Sequence, residues 1–388
     1  MLGQNQPWPL PMTCLHIANS VADLVQGDVR EHLPLNRIPL EGDVLGLGTT
    51  SGYDNGELSF LHQPGEAATR VDRSRPHDGG IDALAADDRE RHFPYVCFSD
   101  EASASRLPLD PALLGEADGV PLRQLIARAL ELLRQQGRLE EAPIYGLRLK
   151  ARWHGLVITV ASKLCLGQLR RNASVARSGD SDAERPGASI YSALPHFLLG
   201  APPPEGLAAA IRPLPGSLRW ECCGFWDTQP QCGRVTVPEA DAHLHLHGCD
   251  SELRVGGHLH HEHPGSRLAA LERLAIYPLG RLRLLSSDLA VREVSYAAEL
   301  LRFQVANLGQ LDASEVGVDV VVDDRWSSRR HLRLPWLAAG AWERFEMPLA
   351  LPAGRHELLV CVDPDRDILE PAAQQGNNTV RLRLDVRA

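Results

Sequence analysis

Along most of this chain apolar and polar residues alternate over short runs, and one stretch keeps a helical period. From Val120 to Gln136, the residues Leu122, Leu125, Ile126, Ala129, Leu130 and Leu133 recur at helical spacing, and Gly137 follows as a stop. A short helix is also predicted through Val21, Leu24 and Val25, capped by Ser20 and ended at Gly27. The rest reads as strands and turns. Residues 42–60 are rich in glycine, and Asp54-Asn55-Gly56 is a hairpin signal. Residues 64–92 are polar and predict loops with one short strand, whereas Ile144 to Val160 predicts two strands. Residues 171–217 are rich in Ala, Gly, Ser and Pro, as expected of an insertion or loop excursion. Residues 218–263 return to strand character. From Leu284 onward, short runs from Leu289-Ala-Val-Arg-Glu to Thr379-Val-Arg-Leu are spaced by turn residues, the pattern of a β-sandwich of about 100 residues. Two units are expected, 1–281 and 282–388.

Composition narrows the function classes. The chain has 388 residues, 44% of them hydrophobic, which is enough for more than one core and too rich for wholesale disorder. Its net charge of -10 argues against a nucleic-acid or anionic-membrane partner, because phosphate affinity needs a basic face. No apolar run approaches the ~18 residues of a transmembrane helix. Met1 to Asn19 lacks a basic start and is broken by Pro7, Pro9 and Pro11, unlike a secretory signal. A soluble cytoplasmic protein is the expectation. Eight cysteines without a CxxC pair read as scattered free thiols.

Histidine changes the picture. Seven of the 16 histidines fall between Ala242 and Pro264. In a strand, His243, His245 and His247 share one face while Leu244 and Leu246 take the other. After a turn through Asp250 and Ser251 the chain can return antiparallel and set His258 beside them, with Gly256-Gly257 permitting close backbone approach. Two histidines from one strand and one from its neighbour form a three-nitrogen site with an open position, the pattern of a catalytic zinc.

The stretch His245-Leu-His247, ten residues, then Gly256-Gly257-His258 resembles the zinc motif of the α-acetolactate decarboxylases. Further segments follow the order of that family: Gly46-Leu-Gly-Thr49, Asp54-Asn-Gly-Glu57, His92-Phe-Pro-Tyr-Val-Cys-Phe98 and Ile144-Tyr-Gly-Leu-Arg-Leu149. The resemblance covers most of residues 17–280. It implies an α+β fold, mostly β with mixed sheets and few helices, and a possible homodimer. It also implies zinc held by His245, His247 and His258, with a 2-hydroxy-3-oxo acid as the small-molecule substrate, decarboxylated to acetoin and CO2 in the case of acetolactate. Glu57 matches the glutamate of the family's Asp-Gly-Glu turn and is the expected proton donor. The family's substrate-binding arginine, in an Arg-Thr-Val tripeptide, is absent, since that region reads Val157-Ile-Thr-Val160; Arg148 or Arg152 stands in the same segment. The family's C-terminal glutamate also has no match. A non-catalytic metal-binding or partner-binding protein on the same fold is the alternative.

The last segment resembles the CARDB family of bacterial β-sandwich modules, through Val305-Ala-Asn-Leu-Gly309, Gly354-Arg-His-Glu-Leu and Val362-Asp-Pro-Asp-Arg-Asp-Ile-Leu-Glu370 with Asn377-Asn378. The resemblance implies an immunoglobulin-like sandwich that docks or spaces. Asp363 and Glu370 carry the chemistry of either a calcium site or a hydrogen-bonded turn, and the turn is the expectation.

Overall fold

In the computed structural model, residues 13–25, 33–50, 56–63, 65–87, 92–161, 196–200, 211–368, 370 and 374–387 are described. The Asp54-Asn55 turn, the stop at Gly27, Cys165 and most of the 171–217 excursion lie outside them. Contacts divide the chain into two compact units, one up to Leu284 and the other from Leu285.

The first unit is built on two sheets. One has seven strands in the order Arg281–Leu285, Cys14–Ala18, Tyr95–Ser99, Leu45–Thr50, Gly56–Leu61, Arg70–Ser74 and Ile81–Ala83. The polar 64–92 region therefore holds two strands that the pattern did not separate. Their charged positions are neutralised locally, by the Arg70–Asp72 and Arg73–Asp82 ion pairs.

The second sheet has eight strands. Its path runs Ile211–Pro213, His196–Gly200, Ile144–Thr159, Arg219–Asp227, Leu244–Asp250, Gly256–Leu259, with Arg267–Leu279 paired both to Ile144–Thr159 and to Leu107–Leu109. Most pairs are antiparallel, but His196–Gly200 and Ile211–Pro213 run parallel, so the sheet is mixed. Ile144 to Thr159 is one long strand, where two had been expected. Gly146 and Gly155 stay within its pairing without breaking it, and it absorbs its irregularity in register shifts against Arg267–Leu279, between Lys150 and Ala151 and again beyond Arg152. Its end also pairs Thr159 with His258, which closes the sheet back onto the histidine hairpin.

The helix Leu122–Gln135 covers one face of this sheet. Leu125, Ile126, Ala129 and Leu133 are all fully buried and pack with Leu147, Leu149 and Ala151 in one core. Alternation along the strand sends Arg148 and Lys150 to the opposite face, where Arg148 meets backbone oxygens of the seven-stranded sheet. At about 25 cal/mol per Å2, burying a Leu side chain such as Leu133 contributes roughly 2 kcal/mol, and Leu133→Ala would cost about 2–5 kcal/mol.

The short helix forms as Val21–Val25, with the Ser20 hydroxyl accepting the Asp23 amide at 3.1 Å. Among the described residues these are the two α-helices, so the fold is mostly β. The seven described cysteines are free thiols, and no described helix is long and apolar enough to cross a membrane.

The second unit has a three-stranded sheet (Leu289–Ala297, Leu300–Asn307, Trp342–Pro348) and a four-stranded sheet (Arg325–Leu337, Ala313–Val322, Gly354–Val362, Thr379–Val386). Leu289, Val291, Phe303 and Val305 from the first and Val318, Val320, Leu358 and Val360 from the second share one core. Strand alternation therefore fills a single apolar layer between two sheets.

Candidate metal centre

The Leu244–Asp250 and Gly256–Leu259 strands form the predicted hairpin, in the register His247↔His258, Gly248↔Gly257, Cys249↔Gly256. Cross-strand partners share a face, so His258 stands beside His247, while His245 lies two residues along the same face. Glycine is required at the pair. A Cβ on Gly256 would lie 2.8 Å from the Gly248 carbonyl oxygen, and one on Gly257 would lie 2.6 Å from that of Thr159. A side chain at either place would push the strand carrying His258 out of register.

One nitrogen from each of His245, His247 and His258 can be chosen so that all lie within 4.8 Å of one another. His245 Nε2 and His247 Nε2 are 3.1 Å apart. The other nitrogens of these two rings fix the tautomers. His245 Nδ1 lies 2.5 Å from the Val235 carbonyl oxygen and His247 Nδ1 lies 2.9 Å from that of Leu58. A carbonyl can only accept, so each Nδ1 carries the proton and each neutral Nε2 presents a lone pair. Two lone pairs facing each other at this distance repel, unless a proton or a cation lies between them.

A proton is disfavoured. Burial pushes the His245 pKa down to about 4, and burial together with the neighbouring imidazoles pushes those of His247 and His258 well below the ordinary value. Neutral imidazoles are what a metal ion needs, and backbone oxygens at Nδ1, as on His245 and His247, are the usual means of holding such ligands. The three residues can hold a metal.

Glu57 comes from the seven-stranded sheet, at the start of Gly56–Leu61, next to the residue whose carbonyl holds His247. It is 4% exposed. Its Oε1 accepts the Ala161 amide at 2.9 Å, and its Oε2 is buried without a hydrogen-bond partner, 3.6 Å from His247 Nε2. Burial raises its pKa to about 8, against the lowering effect of the Ala161 bond. The carboxyl is thus aimed at the histidines with one oxygen unspent.

Arg148 is not brought to this cluster. Its Nε bonds Asp43 at 2.5 Å, and its two terminal nitrogens donate to the carbonyls of Phe60 and Val44 at 2.8 and 2.6 Å. The cavity of about 580 Å3 that His245 and His258 line is bounded instead by Arg123 and Gln124 at the start of the long helix, with Thr236, His261 and Glu262. Helical periodicity marked that helix for core packing and gave no sign that its polar first turn borders the cavity. The carbonyls of Val235 and Leu58 were likewise beyond reach, because a backbone acceptor has no signature in side-chain pattern.

The remaining histidines of the run have structural partners. His243 bonds the Asp227 carbonyl and stacks on Trp226, His260 bridges Thr159 and Glu262, and His261 lies 3.3 Å from the Leu244 carbonyl.

In the second unit the Asp363 carboxylate accepts the amides of Asp367 and Ile368, and Glu370 accepts the Leu289 amide and the Asn378 side chain. These carboxylates organise a turn. Among the described residues, the three histidines are the one group whose side chains converge as metal ligands.

Comparison with known proteins gives a family match and structural likenesses. Residues 286–381 match the CARDB family model. No curated protein matches the sequence. Among solved structures, α-acetolactate decarboxylase from Bacillus subtilis strain 168 is similar at 15% identity and TM-score 0.44, over 70% of this chain and 88% of that one. Acetolactate decarboxylase from Bacillus subtilis subspecies spizizenii is similar at 16% and 0.43, over 70% and 89%. The CARDB domain of a Pyrococcus furiosus protein is similar at 16% and 0.22, over 26% of this chain and 96% of that one. The chain thus carries a CARDB match in its last quarter.

Proposed function

We propose that the first unit is a zinc-dependent decarboxylase acting on acetolactate or a close 2-hydroxy-3-oxo acid. The observation that carries the metal is the convergence of three histidines, His247 buried and His245 and His258 half-buried, with the Nε2 lone pairs of His245 and His247 facing each other. Zinc suits three imidazoles with an open position, and the sequence resemblance supplies the substrate class. When bound, zinc supplies Lewis acidity to the hydroxyl and ketone oxygens of the substrate, which favours loss of the carboxylate as CO2.

The chain's own residues supply the rest. His245 and His247 are held in one orientation by Val235 and Leu58, and His245 and His258 line the cavity, so a metal held by the three would be reached from it. Glu57, with Oε2 unspent and aimed at the histidines, delivers a proton to the carbon that loses CO2 and fixes the face on which it arrives. Arg123 at the cavity wall receives the substrate carboxylate, a task Arg148 cannot take while its donors are bound. The second unit, read as an immunoglobulin-like sandwich, serves as an appended docking module.

The engagement of Arg148 also favours a second reading, in which the unit holds metal without this chemistry. Incubating the zinc-loaded chain with racemic acetolactate and measuring acetoin separates the two. Acetoin is expected. Its absence with zinc still bound at one per chain would leave the metal-binding reading alone.

A further inference from the structure

We propose that a second cavity of the first unit, on the Arg148 side, binds a small oxyanion, a carboxylate or a phosphate. The cavity measures about 320 Å3 and shares no lining residue with the histidine cavity. Its polar walls are Asp43, His62, Ser103, Arg106, Arg148 and Arg273. Three arginines thus line one small space in a chain whose net charge is -10.

The one acid in the lining is already used. Asp43 accepts Arg148 Nε on one oxygen and the Tyr277 hydroxyl, at 2.9 Å, on the other. Arg273 has a single long contact, 3.5 Å to Glu221 Oε2, and that glutamate is held more closely by Lys150 at 2.8 Å. Arg106 has no side-chain hydrogen bond or ion pair among the described residues, and the only partner of its residue is a backbone one, the Ser103 carbonyl.

These observations are independent and point the same way. A guanidinium that lines a cavity without a side-chain partner holds its donors in a planar fork. What satisfies two arginines with donors to spare is a compact group with several acceptor oxygens and negative charge. A low-dielectric cleft of one sign concentrates such an ion even against an unfavourable overall charge. The volume suits a small molecule rather than a polymer.

The test is calorimetric titration of the full chain with inorganic phosphate and, separately, with malonate, at constant ionic strength. Saturable binding of one anion per chain is expected for the wild type. Arg106→Glu should weaken it at least about tenfold, since a charged hydrogen-bond donor is replaced by a repelling charge. Arg106 is exposed and has no side-chain partner to lose, so the variant should melt like the wild type. Arg273→Gln should weaken binding by a smaller factor, and His258→Ala should leave it unchanged. Tighter phosphate binding would identify a phosphate monoester or free phosphate as the source, and tighter malonate a carboxylic acid. The proposal is overturned if neither anion gives saturable heat, if Arg106→Glu binds like the wild type, or if His258→Ala abolishes binding, which would place the anion at the histidines.

Discussion

The hairpin of His245, His247 and His258 and the turn of Asp363 and Glu370 both carry metal-ligating residue types at close spacing, yet their polar atoms are in opposite states. In the turn each carboxylate is consumed by amides or by Asn378. In the hairpin, backbone carbonyls take the Nδ1 protons and leave the Nε2 lone pairs of His245 and His247 facing each other without a donor, with Glu57 Oε2 unpartnered nearby. Satisfied ligand atoms hold a fold together; unsatisfied, buried and convergent ones await a ligand. Residue type alone does not separate the two cases.

The largest expected effect breaks this comparison most directly. His245→Ala combined with His258→Ala should reduce bound zinc from about one per chain to none after dialysis, whereas Asp363→Asn with Glu370→Gln should leave it at the wild-type level, both measured by atomic emission. Removing zinc with a chelator should lower the melting transition of the first unit only. At free zinc ~1,000 times its dissociation constant, linkage supplies about 4 kcal/mol.

Glu57→Gln separates chemistry from binding. It keeps the Ala161 hydrogen bond but cannot deliver the proton, so zinc content should hold while acetoin formation falls about 100- to 10,000-fold. Full activity would remove Glu57 from the mechanism.

The turn side of the comparison predicts a stability effect. Asp363→Ala leaves the amides of Asp367 and Ile368 without that acceptor, and should cost the second unit about 1–3 kcal/mol by denaturant unfolding, with no change in zinc.

The smallest effect concerns a histidine of the opposite kind. His356 hydrogen-bonds Asp323 at 2.9 Å, which raises its pKa, where burial lowers those of the metal-site histidines. A raised folded-state pKa gives stability that is complete below the ordinary imidazole value of about 6.5 and is lost as pH rises through the higher folded value. The second unit should therefore show a slight fall in its unfolding midpoint across that window, and His356→Gln should flatten it.

Much of this was legible in the sequence, and the reason differs by element. The long helix and the strands of the second unit show themselves because burial on one face imposes a period, as at Leu125, Ala129 and Leu133 or at Val316, Val318 and Val320. The hairpin register was readable because glycines at 256 and 257 permit one close approach, which puts His258 opposite His247. Residues 64–92 predict a single short strand, where Arg70–Ser74 and Ile81–Ala83 both form, because Arg70 and Asp72 neutralise each other along the strand and its polarity resembles that of a loop. Ile144–Thr159 was divided in two because its bulges are a property of pairing with Arg267–Leu279, a partner more than a hundred residues away. Arg148 attracted attention as an arginine near the right place in sequence. What places its guanidinium is Asp43 and two carbonyls from another sheet, and no local pattern contains them.

The central claim is that zinc sits on three imidazoles of one hairpin. X-ray absorption at the zinc edge, on full-length protein loaded with one equivalent, reports the ligands directly. The account predicts a shell with three histidine nitrogens at about 2.0–2.1 Å, completed by oxygen. Sulfur scattering at about 2.3 Å, or an all-oxygen shell, would contradict it.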